Sequence, residues 1–92
     1  MNARVFKTTP QFRRSLRSLS PDQKRAAKAA IQIFKENPFD SRLGTHKIFR
    51  LSAIMKRTVY AVSIQNDLRA VFFIAGDLVI SFDIGKHEIY ER

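Results

Sequence analysis

The chain contains no cysteine and no tryptophan, and only 3 glycines and 3 prolines in 92 residues. Without cysteine there is no disulfide framework, no thiolate nucleophile and no zinc site of the cysteine type. Two histidines are too few to suggest a metal centre, and no cofactor is expected. Three scattered glycines leave no glycine loop to cradle a phosphate, and no Ser-His-Asp pattern is present. No apolar run approaches the length that spans a bilayer, and an N-terminus carrying Arg4 and Lys7 is not a secretory signal. The expectation is a cytoplasmic protein with no membrane partner. At this length it forms one domain, residues 1-92, with a single core.

Acidic residues are also scarce, 8 against 17 lysines and arginines, for a formal charge of +9. The imbalance is uneven. Residues 1–57 hold 14 of the 17 basic and 3 of the 8 acidic residues, so the excess lies in the first two thirds. Such a field concentrates polyanions, which makes RNA, DNA or an acidic protein the natural partners.

Two apolar runs near the C-terminus, Leu68 to Ile74 and Leu78 to Ile84, flank Ala75-Gly76-Asp77 and predict an antiparallel hairpin at the centre of a sheet. Ahead of them, Arg4 to Thr8 alternates and predicts a short first strand. Thr9 suits an N-cap and Pro10 a first helical position, after which Phe12, Leu16 and Leu19 make one apolar stripe. Ser20-Pro21-Asp22-Gln23 spells a capping box for a second helix running to about Glu36, with Ala27, Ala30, Ile31 and Phe34 on its inner face. Asn37-Pro38 ends it. His46 to Leu51 reads as a strand, Ser52 to Lys56 as irregular, and Arg57 to Gln65 as another strand in which Tyr60, Val62 and Ile64 share one face. The expected architecture is α+β, in the order β-α-α-β-β-β-β, a two-helix hairpin packed on an antiparallel sheet.

The chemistry-bearing residues gather at one end of the predicted hairpin. Arg69 stands second in an otherwise apolar strand, and the antiparallel partner strand delivers Gly85-Lys86-His87-Glu88-Ile89-Tyr90 just past its end. Arg69 and the 85–90 segment should therefore be close in space. His87 can give or take a proton near neutral pH, and Tyr90 can donate a hydrogen bond or stack on a base. His46, with Lys47 beside it, is a lesser candidate. If the substrate is RNA, these groups suit attack of a 2′-hydroxyl on the neighbouring phosphate, with cations on the pentavalent oxyanion and an acid at the leaving 5′-oxygen. Arg69, Lys86 and Lys47 would hold the phosphate and His87 would act as acid or base, without a metal. Asp67, Asp77 and Asp83 are spaced around turns and strand faces, not grouped as a metal nuclease requires.

Phe12-x3-Leu16-x2-Leu19, the capped alanine-rich helix, Asn37-Pro38, His46-Lys47-Ile48, Asp67-Leu68-Arg69-Ala70-Val71 and Ile84 to Tyr90 together resemble the RelE/ParE superfamily of bacterial toxins. The resemblance implies a microbial-RNase-like fold and ribosome-dependent cleavage of mRNA, an mRNA interferase that arrests translation until a cognate antitoxin neutralises it. It implies that Arg69 contacts the scissile phosphate, that His87 takes the catalytic position of the YafQ-like branch, and that Tyr90 is the C-terminal aromatic that orients base or nucleophile. His46 and Asp67 resemble a further histidine and the turn aspartate of that branch.

The sequence also departs from the family. Lysines that RelE carries on the strand after the long loop have no match at Thr58, Tyr60 or Val62; only Lys56 and Arg57 lie close, and Arg57, with Lys86, Lys47 and Asp67, is an expected substrate- or phosphate-binding residue. The histidine of the YafQ-like branch on the third meander strand has no counterpart near Ser63 and Ile64. The ParE branch, whose partner is DNA gyrase and which cuts no RNA, shares the fold and is the alternative, as is a relic that only binds its antitoxin.

Overall fold

The cap and breaker signals place the two long helices. In the computed structural model, which describes residues 4–86 and Ile89, β1 (Val5–Thr8) leads into α1 (Pro10–Arg17) and α2 (Pro21–Glu36). The Thr9 hydroxyl accepts from Phe12 N at 3.1 Å and caps α1, while it donates to Phe82 O at 3.1 Å and so ties the helix start to the last strand. The capping box closes α2: Ser20 Oγ accepts from Gln23 N at 3.2 Å and the Gln23 side chain accepts from Ser20 N at 2.9 Å. Asn37 leaves the helix with φ −158°, the extended geometry that a following proline imposes.

A 3-10 turn at Ser41–Leu43 ends on Gly44, whose φ of 56° favours glycine. Then come β2 (His46–Lys47), α3 (Phe49–Met55), β3 (Val59–Gln65), β4 (Leu68–Ala75) and β5 (Leu78–Lys86). The sheet order is β1-β5-β4-β3-β2. Both central turns are two-residue loops that begin on a positive φ, 46° at Asn66 and 65° at Gly76, as tight hairpins require.

The pleat divides the side chains between two faces. Tyr60, Val62, Ile64, Leu68, Ala70, Phe72, Val79 and Ile84 meet the α1–α2 hairpin through Phe12, Ala27 and Phe34. Phe34 stands edge-on to Phe72, with centroids 4.8 Å apart. Val59, Ala61 and Val71 point the other way, beneath Ile48, Leu51, Met55, Phe82 and Ile89. The expected sharing of a face by Tyr60, Val62 and Ile64 is what forms, and the α+β class with a helical hairpin on the sheet is what the chain adopts.

Three details differ from the sequence reading. The expected strand His46 to Leu51 stops at Lys47, and residues 49–55 coil into α3, because Leu51 and Met55 at i, i+4 bury against the open side of the sheet. The sheet is mixed, since β1 pairs parallel with β5 (Val5 with Leu78, Thr8 with Ser81); the connection between these parallel neighbours runs through both helices and all the intervening strands. And β5 carries a bulge: Val71 pairs with Asp83 but Phe72 with Ser81, leaving Phe82 as the extra residue.

Candidate functional site

The bulge decides what Arg69 faces. Counted from the Gly76-Asp77 turn without it, Arg69 would stand opposite Ile84; the added residue brings it opposite Gly85 instead. On its other side Arg69 pairs with Ser63 of β3. Ser63, Arg69 and Gly85 thus form one row across three strands, on the face away from the α1–α2 hairpin. The expected proximity of Arg69 to the start of the 85–90 segment is realised at Gly85.

Arg69 is half-buried, and its guanidinium folds back over the β3–β4 turn. Nη1 donates to Asn66 O at 2.7 Å and to Leu68 O at 3.1 Å. Among the described residues Nε and Nη2 have no partner and no carboxylate neutralises the charge; the described ion pairs are Asp22 with Arg25 and Asp40 with Arg42. Half of the fork is fixed by carbonyls, and among the described residues the other half carries no hydrogen bond; such a free edge has the geometry to donate two hydrogen bonds to one anion.

His46 stands beside this row, one rung along. It pairs with Ala61, and its Nδ1–H donates to Gly44 O at 2.9 Å, which leaves Nε2 as the basic nitrogen. Gly44 lies against Ser63: a Cβ on it would be 3.6 Å from Ser63 Oγ. His46, Gly44, Ser63, Arg69 and Gly85 are therefore contiguous.

The other candidates fall elsewhere. Lys86 pairs with Leu68 and so sits on the opposite side of the sheet, where it lines a groove of about 340 Å³ with Gln11, Ser15, Asp83 and Ile89. Lys47 is exposed, its Nζ 4.8 Å over the Phe49 ring. Asp67 is exposed in the β3–β4 turn. Arg57 stacks at 4.4 Å on Phe73 at the far end of β4, away from the Arg69 row. His87, Tyr90 and Glu88 lie outside the described residues. Gly85 is nonetheless constrained on their side, because a Cβ there would meet Ile89 Cγ2 at 2.9 Å.

Ser63 and Asp83 were not singled out from the sequence as site residues. Asp83 Oδ1 accepts from Ser15 Oγ at 2.8 Å and from Ile84 N at 2.9 Å, which fastens α1 to the bulge; an aspartate inside an apolar strand is the signal that marks it. Among the described residues, the one strongly shifted carboxyl is remote from the row. Hydrogen bonds from Arg42 hold Asp40 down to about 2. Among the described residues no three His, Asp or Glu side chains converge to hold a metal ion, and no helix is long and apolar enough to cross a membrane.

No family model and no curated protein sequence matches this chain. Solved structures do match in fold. The RelE of an archaeal RelE–RelB complex from Pyrococcus horikoshii OT3 superposes with a TM-score of 0.69 at 15% identity, over 94% of this chain and 96% of that one. YafQ from E. coli strain BL21(DE3) gives 0.68 at 14% identity over the same shares. A chain of the E. coli DinJ–YafQ toxin–antitoxin complex gives 0.65 at 12%, over 94% of both. The fold is that of RelE and YafQ toxins.

Proposed function

We propose that the protein is the toxin of a toxin–antitoxin pair and acts as a metal-independent endoribonuclease on mRNA in the ribosome. The observation that carries this reading is the cross-strand row on a RelE-like fold, with the half-free guanidinium of Arg69 opposite Gly85. A scissile phosphate bound to Arg69 Nε and Nη2 would have its developing charge stabilised in the transition state. His46, one rung from the row, would offer Nε2 as a further proton acceptor on the same surface. His87 follows Gly85 and Lys86 in the chain and is the proposed acid or base, with Tyr90 orienting the nucleotide. The attacking 2′-hydroxyl gives up its proton, the P–O5′ bond breaks, and the 5′-oxygen is protonated, leaving a 2′,3′-cyclic phosphate.

The antitoxin partner has support from the neighbours, RelE being solved with RelB and YafQ with DinJ. It also has support from this surface. A groove of about 560 Å³ on the helical hairpin has Leu16 and Ile31 in its floor and Arg17, Lys24, Lys28 and Lys35 around it. None of those four cations forms an ion pair among the described residues, which suits an acidic amphipathic segment that folds on binding.

Primer extension on an mRNA translated by purified ribosomes tests the nuclease reading, with wild type, Arg69→Ala and His87→Ala. Cuts within codons that need ribosomes and fall by at least two orders of magnitude in both variants are expected, about 10²–10⁴-fold being the usual worth of such groups. Full cleavage by either variant removes that residue from the site. Intact mRNA together with inhibited supercoiling would move the protein to the gyrase-type alternative, and intact mRNA with no toxicity to a binding-only relic.

A further inference from the structure

Arg57 lies over Phe73, at the other end of β4 from Arg69. We propose that Arg57, Phe73 and Phe82 form a stacking platform for a base of single-stranded RNA, flanking the phosphate site; this rests on the RNA reading above. The Arg57 guanidinium lies 4.4 Å over the Phe73 ring, and Phe73 meets Phe82 with centroids 5.8 Å apart. Arg57 is exposed and the two rings are half-buried. The guanidinium carbon is thus held over a ring while the residue as a whole stays open to solvent.

The backbone holds this stack in place. Lys56 caps α3 in the left-handed region, φ 55°, a conformation unfavourable for lysine, and Arg57 N then donates to Ser52 O at 3.2 Å. Ser52 Oγ accepts from Val59 N at 2.8 Å and donates to Ile48 O at 2.7 Å, so the end of α3 is fastened to the start of β3. The turn is thereby set to deliver Arg57 over β4, and no carboxylate among the described residues pairs with it.

A guanidinium plane backed by an aromatic ring is a surface on which an unstacked base can lie, and its charge with that of Lys56 offsets the adjacent phosphates. Phe73 and Arg69 point to the same side of the sheet and are four residues apart on β4, about 13 Å at the strand rise. Between them Val71 is buried under Leu51, Met55, Phe82 and Ile89. Duplex RNA keeps its bases stacked internally and gains nothing from such a platform, so the substrate class is single-stranded.

The test is equilibrium binding of a short oligoribonucleotide, 2′-O-methylated to block cleavage and carrying 2-aminopurine at successive positions. It is read by fluorescence for wild type, Arg57→Ala, Arg57→Lys and Arg69→Ala. Stacking predicts that 2-aminopurine quenching at one position disappears in both Arg57 variants, and that Arg57→Ala weakens binding about tenfold or more. Lysine keeps the charge but not the plane, so Arg57→Lys should recover little of that loss while leaving the salt slope unchanged. Full recovery in Arg57→Lys would make Arg57 a point charge and overturn the platform. Wild-type binding by Arg57→Ala overturns it too, and if Arg69→Ala still loses cleavage the nuclease reading survives. No binding of the free strand by the wild type overturns the platform, whereas the nuclease reading, which places the mRNA in the ribosome, is decided by the primer-extension assay.

Discussion

Gly85 is the position where a single methyl group tests the site's construction. Its φ is not among the positive values of this chain, so alanine can adopt the backbone without strain; the obstacle is space. A Cβ there would lie 2.9 Å from Ile89 Cγ2, well inside the ~3.5–4.0 Å of a favourable carbon contact. Ile89 is half-buried and packs with Leu51, Met55 and Phe82 over Val71. If Ile89 stays, overpacking costs about 1–3 kcal/mol. If it swings out, about half of the ~1.5–3 kcal/mol for full burial of such a side chain is lost, roughly 1 kcal/mol. Alanine also restricts the unfolded chain, which returns ~0.4–1 kcal/mol. Gly85→Ala should therefore destabilise by about 0–2 kcal/mol, with Tm falling roughly 4–8 °C per kcal/mol in a domain of this size. The decisive quantity is its coupling to Ile89. In an Ile89→Ala background the clash is gone, and Gly85→Ala should become neutral or stabilising, a coupling of about 1–2 kcal/mol. Four urea unfolding curves measure it. An equal cost of Gly85→Ala in both backgrounds would refute the close approach of Ile89, and with it the view that a glycine is needed here to let Ile89 pack over β5.

Two further outcomes concern parts remote from the row. Ser20→Ala removes the acceptor for Gln23 N at the start of α2 and should cost about 1 kcal/mol, seen as a lower midpoint in thermal unfolding; an unchanged midpoint would mean the capping box contributes nothing. For Asp40, NMR titration of the carboxyl should give a midpoint near 2, returning towards about 3.9 in Arg42→Ala. Because the folded value lies below the unfolded one, the Asp40–Arg42 turn supports the fold above about pH 4 and loses that support as pH falls towards 2. A wild-type midpoint near 4 would break this link.

The elements with explicit start and stop chemistry were readable from the sequence. Ser20 to Gln23 and Asn37-Pro38 bracket α2, and Ala75-Gly76-Asp77 sets the central hairpin. α3 was not readable because it lacks such signals: Ile48 stands at its N-cap with no side-chain hydrogen bond, and Lys56 ends it where glycine is usual. Its first residues also continue the alternation of β2, so only Leu51 and Met55, four apart, betray a helix. Within the site, the nearness of Arg69 to the residues after β5 follows from hairpin geometry alone. The particular partner, Gly85, does not, because the bulge at Phe82 shifts the register. Period-two reading fails there, and Ser81 and Ile84 can both face the helical hairpin only because a residue is inserted between them. Arg57 was grouped with the phosphate ligands by charge, and its stack on Phe73 is a tertiary contact that no local pattern encodes.

The parallel pairing of β1 with β5 bears on how the chain folds during synthesis. Thr9, 73 residues before Phe82, caps α1 locally but must find Phe82 to complete its tie to the sheet. Most other pairings join neighbours in sequence and can form early, whereas this one closes a loop nearly the length of the chain and bears a correspondingly large entropic cost. The sheet edge and the seat of α1 are therefore completed last, once β5 has emerged. A nascent chain that has released its helices and β2 to β4 still lacks the strand that carries Gly85, so the row opposite Arg69 is assembled only once β5 has emerged.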